Sequence, residues 1–413
     1  MLILLRCLYV SEVLEVLLSF LFCDLIIEVY MIFECRDGRK VIEHTESRLT
    51  MMDKEQLDKE NKIELSENTL ESGLLVLKKH YKTTIELKQR GILGRELYGG
   101  LQSLNDESSL LYDNNKSLRG AVWYEFLNNG CLPDGSESVN EPERLIEVPQ
   151  EKLATDEDLE VMDLDIKRLL LYNIYQSKQE CRDIEKILYN YCKQNEEMYK
   201  QGMHELAGVI YVQMRGVHSD GLNLNTVYTG FNHFMKLQQF SFDEVELLNF
   251  KNFQFEPMLQ ASFPSVSRCL ESKHKLNNML WLLRWLRLCF LREFDELDHL
   301  LIIWDHLIMQ NDNNAPETLQ KSQQKYQNFM TFLLIIFLVY RSKDIIYHCQ
   351  DQSELLHLFF HFFNTKLFNK ERLQKILECC NGLVEGGSSK GEGVTLPNTI
   401  DIRNAIKELI LKD

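Results

Sequence analysis

Only seven prolines interrupt the 413 residues, with nineteen glycines. Both residues punctuate a chain, proline by fixing φ and removing a donor, glycine by admitting turns. Between these few breaks apolar residues return every three to four positions. Leu74, Leu77 and Tyr81 do so, as do Val122, Trp123, Phe126 and Leu127. Leu159, Met162, Ile166, Leu169 and Leu170 form one stripe that also takes in Asn173. That period belongs to helices. No convincing set of strands and no fixed-period repeat competes with it. The chain is therefore expected to be all-α.

Further helices are expected over 184–194, 203–213, 276–292, 300–309, 329–340, 353–380 and 400–411. In the second of these, Met203, Leu206, Ala207, Ile210 and Tyr211 would make the buried face. The nearly pure apolar run from Phe329 to Tyr340 is too short to span a bilayer and reads as a core helix. Residues 38–68 read as a polar surface segment, 103–115 as a polar loop and 134–158 as an acidic insertion. Gly386 to Gly393 reads as a flexible linker.

Composition narrows the partners. Apolar residues make up 45% and charged residues 26%, which suits a soluble chain with a real core. The net charge of −16, with no basic stripe, argues against a nucleic-acid binder and against loose adsorption to anionic lipid. The eleven cysteines include no CxxC pair, so neither a zinc site nor a disulfide framework is indicated. They read as reduced thiols of a cytosolic protein. Residues 1–34 are strongly apolar but carry Arg6, Glu12, Glu15, Asp24 and Glu28. No acid-free window there reaches the roughly 20 residues of a spanning helix. Three readings stay open: an amphipathic segment packed on the domain or on a membrane, an imperfect signal-anchor, and a true start at Met31, Met51 or Met52.

Chemistry is sparse. His357 and His361 have the spacing of a metal pair, but no third ligand accompanies them and their neighbours are core-like. The glycine-rich 386–393 segment lacks the spacing and preceding strand of a phosphate loop. No GxSxG nucleophile motif is present. What remains is a pair of motifs. Asp165-Ile166-Lys167-Arg168 lies on a helix whose apolar stripe faces away from Arg168, with Asp165 expected to reach Arg168 at i,i+3 and fix its direction. Tyr199-Lys200-Gln201-Gly202-Met203 follows, its Tyr199 31 residues after Arg168, with Gln201 at a helix N-terminus. A lone Arg or Gln on a surface is usually a solvated side chain. Together, in a chain with little other chemistry, they suggest groups offered to another protein's active site.

The arrangement resembles the TBC domains, GTPase-activating proteins for Rab (Ypt) small GTPases. Leu118-Arg119-Gly120 with Val122-Trp123 is similar to the family's opening motif. Met162 to Arg168, with Asp165, is similar to the arginine-finger motif IxxDxxR, with Met162 for the usual Ile. Tyr199 to Met203 matches the glutamine-finger motif YxQGM. Trp285-Leu286-Arg287, Phe290, Arg292-Glu293-Phe294 and Trp304-Asp305 are similar to the late part of the domain. Leu169 stands where the family typically has Thr. The resemblance covers about residues 110–345. It implies a two-lobed, all-α domain there, an N-terminal extension over 1–109, helical completion over 346–382, and a linker with a short terminal helix over 383–413.

The resemblance also implies a mechanism and a setting. Arg168 would offset charge on the γ-phosphate and the β–γ bridging oxygen, and Gln201 would align the attacking water. Asp165 would orient Arg168, and Tyr199 and Gly202 would shape the glutamine loop. Arg119 and Trp123 would support the domain. GTP and Mg²⁺ would belong to the partner, a Rab/Ypt GTPase in its GTP-bound state, so the chain would need no cofactor and catalyse nothing alone. Tyr199 to Leu206 most resembles the branch holding the animal TBC protein associated with retromer. The chain as a whole resembles a fungal TBC protein of Golgi–endosome traffic, cytoplasmic and peripheral to membranes through its Rab. Another reading stands beside this one: a TBC module that binds Rabs or trafficking coats as a scaffold without stimulating hydrolysis.

Overall fold

Wherever the structure describes the chain, the apolar periodicity becomes helix. The computed structural model describes residues 70–98, 116–129, 145–148, 157–169, 178–214, 224–273, 279–294, 296–311, 318–363, 366–388 and 398–411. Among them every regular element is helical and none is a strand. The principal helices are α1 (Leu70–His80), α2 (Lys116–Tyr124), α3 (Glu157–Lys167), α4 (Lys178–Asn195), α5 (Met203–Met214) and α6 (Leu224–Phe242). They are followed by α7 (Met279–Arg287), α8 (Leu297–Ile308), α9 (Thr318–Tyr340), α10 (Gln352–Phe360), α11 (Lys370–Ser388) and α12 (Thr399–Leu411). Short helical pieces join α6 to α7. The chain divides into two units. One comprises residues 1–67 with Asn277–Leu283, and the other Asn68–Leu276 with Arg284–Asp413. Asp165, Arg168, Tyr199 and Gln201 all lie in the second. The expectations for residues 1–34, 38–68 and 103–115, and for most of 134–158, lie outside the described residues.

Helix starts follow local chemistry. The Asp351 carboxylate accepts from the N–H groups of Ser353 and Glu354, both at 2.9 Å, and Glu354 accepts from the Gln350 N–H in return. That reciprocal capping satisfies donors the first turn of α10 would otherwise leave open. Asp243 does the same at 2.9 Å for the helix that follows α6.

Burial is deepest in three helices. All twelve residues of α5 are buried. The run His299 to Ile308 in α8 and the run Phe329 to Leu338 in α9 are buried as well. The single buried face expected for α5 is therefore corrected: α2, α4 and α6 all pack against it. Polar residues inside such a helix need internal partners, and these turn out to shape the site. Gly120 lets α2 approach α5, because a Cβ there would stand 2.2 Å from the Gln213 carbonyl oxygen. Trp304 stacks between Trp123 at 5.8 Å and Phe234 at 4.9 Å, tying α8 to α2 and α6.

Three expected boundaries are corrected. The helix expected over 276–292 stops at Arg287, where Cys289 (φ 48°) and Phe290 (φ 64°) enter the left-handed region. The cost of that backbone is offset by burial of Phe290 against Trp285, Phe337 and Phe363 and by the Trp304 indole donating to the Cys289 carbonyl at 3.1 Å. The helix expected over 353–380 is two helices, α10 and α11. And α11 runs on through Gly386 and Gly387 to Ser388, because Leu383 and Val384 still find buried positions; the rest of the expected linker, 389–393, lies outside the described residues. The terminal helix α12 spans Thr399–Leu411. No helix among the described residues is long and apolar enough to cross a membrane.

Candidate functional site

The two motif segments meet through a buried hydrogen bond. The Tyr199 hydroxyl donates to Asp165 Oδ2 at 2.9 Å, joining the end of α3 to the turn before α5. Both residues are buried. A tyrosine hydroxyl has one proton to give. With that proton on Asp165, the contact from Tyr199 to His204 Nδ1 at 2.7 Å is donated by the ring. Burial holds His204 below the ordinary histidine range, against the pull of Glu205 and Asp165, and pushes the Tyr199 hydroxyl well up, with Asp165 adding to the effect. The three groups thus form a neutral-donor chain onto one carboxylate.

A second link anchors the other side of the turn. Arg292 forks onto Glu205, with Nε 3.1 Å from Oε2. Burial pushes the Glu205 carboxyl up, but Arg292, His204 and Arg284 together outweigh it and hold the group below the usual carboxylate range. Glu205 follows directly on His204, so the turn carrying Gln201 is pinned at Tyr199 before it and at 204–205 after it. Gly202 completes the turn at φ 99°, a conformation suited to glycine. A Cβ there would stand 2.9 Å from Leu288 Cδ2.

Arg168 is presented by its neighbours. Its N–H donates to the Asp165 carbonyl and the Leu169 N–H to the Ile166 carbonyl, both at 3.1 Å, closing α3 in a tight turn. Asp165 and Leu169 are buried on either side of it, so Arg168 is turned outward and is exposed. The expected ion pair between Asp165 and Arg168 is corrected: the Asp165 carboxylate faces inward to Tyr199, and only its backbone carbonyl serves Arg168. Lys167 is held by Asp163 at 2.6 Å, whereas Arg168 has no side-chain partner among the described residues. Gln201 is half-buried in the turn immediately before α5, where the sequence predicts it, and its side chain has no hydrogen bond among the described residues. The stripe residues Leu170 and Asn173 lie outside the description.

Arg119 and Trp123 stand elsewhere, in the core. Arg119 Nε lies 3.2 Å from Asp305 Oδ1, the Trp123 indole donates to the same oxygen at 2.7 Å, and the Tyr98 hydroxyl donates to Oδ2 at 2.9 Å. Arg119, Trp123 and Asp305 are fully buried. This cluster fastens α2, α8 and the segment before α2 to one another.

Sequence reasoning missed His204, Glu205 and Arg292 as supports of the turn. His204 and Glu205 carried a signal, since polar residues inside an apolar helix demand partners. The partner Arg292, 87 positions from Glu205, carried none. His357 and His361 stack at 4.5 Å, and no group of three metal-ligating side chains gathers among the described residues. None of the described cysteines is in a disulfide, and burial raises Cys289 to about 12 and Cys379 to about 11, which keeps both as thiols rather than nucleophilic thiolates.

What the arrangement can do is limited and specific. It presents a cationic fork and a neutral amide on two segments joined by the Tyr199–Asp165 bond, neither side chain with a hydrogen-bond partner among the described residues. Comparison with protein families matches residues 116–346 to the Rab-GTPase-TBC domain. That span takes in both motifs, Arg292 and Asp305. The same comparison with curated proteins finds no match.

Proposed function

Because the chain belongs to the Rab-GTPase-TBC family, we propose that Arg168 and Gln201 complete the active site of a GTP-loaded Rab and accelerate its hydrolysis. The observation that carries this reading is the contrast between their supports and their side chains. Asp165, Leu169, Tyr199 and the 204–205 pair are buried and bonded, while Arg168 is exposed and Gln201 half-buried, neither side chain with a hydrogen-bond partner among the described residues. Catalysis of phosphoryl transfer is mostly positioning and charge stabilisation, so such a pre-set pair is what a slow GTPase lacks.

In this mechanism GTP and Mg²⁺ are held by the Rab. Arg168 supplies a planar, always-charged fork for the developing negative charge. Gln201 orients the attacking water in place of the Rab's own glutamine. Asp165 and Tyr199 hold both at a fixed separation, and Gly202 keeps the turn tight. Tyr199 to Leu206 most resembles the retromer-associated branch of the family, and the proposed setting is that of a fungal TBC protein of Golgi–endosome traffic, recruited to those membranes through the Rab.

The test is a panel of GTP-loaded Rabs, each also with its own catalytic glutamine replaced by alanine. Stimulation of one or a few members, retained when the Rab glutamine is gone, is the expected result. Stimulation that vanishes with the Rab glutamine would remove Gln201 from its role. Binding of Rabs without any stimulation would leave the scaffold reading instead.

A further inference from the structure

Aliphatic side chains scattered singly over a surface need no explanation. Three that gather beside one site do. Val161 is 48% exposed, Leu164 49% and Met198 67%. On α3, Val161 and Leu164 are three residues apart and Arg168 follows Leu164 by four, so all three share the solvent side. The opposite side, with Leu159, Met162, Asp165 and Ile166, is buried. Met198 belongs to the second segment, directly before Tyr199. The Tyr199–Asp165 hydrogen bond joins the immediate neighbours of Met198 and Leu164, so the two segments that carry these exposed side chains are fastened together. Glu160 and Glu196 are exposed on the same two segments, and the nearby Lys167 is paired with Asp163.

We infer that Val161, Leu164 and Met198 form the apolar seat on which the Rab docks before Arg168 and Gln201 reach its nucleotide, an inference that rests on the proposed activity. Leu164 lies one helical turn from Arg168 and Met198 three residues before Gln201, so a body that receives Arg168 must also cover Leu164. The carboxylates of Glu160 and Glu196 select a partner surface whose apolar centre is edged by Lys or Arg. The division of labour is then spatial. Buried apolar anchors set affinity, while the two polar side chains act on the transition state.

The experiment measures binding and chemistry separately, using the full chain. A triple variant, Val161→Asn with Leu164→Asn and Met198→Asn, is titrated against Rabs carrying a non-hydrolysable GTP analogue, beside the milder Leu164→Ala. The triple variant is expected to raise Kd about tenfold or more, and Leu164→Ala to raise it about threefold. Single-turnover rates at saturating chain should stay within about threefold of wild type. An unchanged Kd in both variants overturns the docking seat while leaving the proposed activity standing. A wild-type chain that binds no GTP-loaded Rab overturns both. Self-association of wild type that the triple variant loses, with Rab affinity intact, assigns the patch to a second copy of the chain and also overturns the inference.

Discussion

Arg119 and Arg168 are both motif arginines, and the molecule treats them in opposite ways. Arg119 has no exposed surface and lies against Asp305, whose two oxygens also accept from Trp123 and Tyr98. Arg168 is exposed at the end of α3 with no side-chain partner among the described residues. The first is a satisfied charge that ties distant segments into one core. The second is a charge held ready by buried neighbours, its own bonding capacity unused. Motif membership alone does not separate structure from chemistry; counting the partners of each side chain does.

The sharpest way to break this comparison is to remove each arginine system in turn. Arg168→Ala should cost about 10³–10⁵ in stimulated hydrolysis, roughly 4–7 kcal/mol of barrier. Arg168→Lys should be nearly as damaging, since an ammonium lacks the planar fork. Thermal unfolding of either variant should stay within about 0.5 kcal/mol of wild type, as for exposed surface changes generally. Asp305→Ala should do the reverse. It strands a buried guanidinium, and denaturant unfolding should show a loss of about 3–5 kcal/mol. A folded Asp305→Ala chain of unaltered stability would contradict the structural role given to the Arg119 cluster.

Glu125 sharpens the contrast from another side. It is buried, its Oε1 has no hydrogen-bond partner, and burial pushes its carboxyl up to about 7 despite Lys78. Between an unfolded value near 4.5 and that folded value, the folded chain keeps a proton that the unfolded chain has lost. Stability contributed by this group is therefore full below pH 4.5, falls as pH rises through 7, and is flat above. Glu125→Gln cannot ionise, so its stability relative to wild type should rise across that window by up to about 3 kcal/mol. A pH-independent difference between the two proteins would show that Glu125 is not held protonated.

The smallest expected effect falls on the link between the two regimes. Tyr199→Phe deletes the donor to buried Asp165 and should cost about 1–2 kcal/mol of stability. Arg168 and Gln201 remain present but less firmly placed, so the stimulated rate should fall about tenfold. Unaltered stimulation by Tyr199→Phe would mean that the two side chains are positioned independently.

Much of this was legible in the sequence. The helical period marked α1, α2, α3 and α12, and local spacing placed Gln201 just ahead of α5. What escaped was set by long-range packing. A one-dimensional period cannot show that α5 is surrounded by α2, α4 and α6, so it suggested one buried face where all sides are covered. Nor can it show that Asp165, three positions from Arg168, turns its carboxylate toward a tyrosine 34 positions away. The left-handed break after Arg287 depends on Trp304, again a distant partner. The continuation of α11 through two glycines likewise follows from tertiary burial of Leu383 and Val384 overriding local propensity.

The most direct test of the central claim compares rate with affinity in the two outward-facing residues. Single-turnover hydrolysis by the Rab that responds best would be measured at saturating wild type, Arg168→Ala and Gln201→Ala, with Kd determined in parallel on the non-hydrolysable complex. The account predicts that each variant loses at least about 10²-fold in rate while Kd shifts by no more than about threefold. Hydrolysis rates that survive both substitutions, or that fall only because binding is lost, would contradict it.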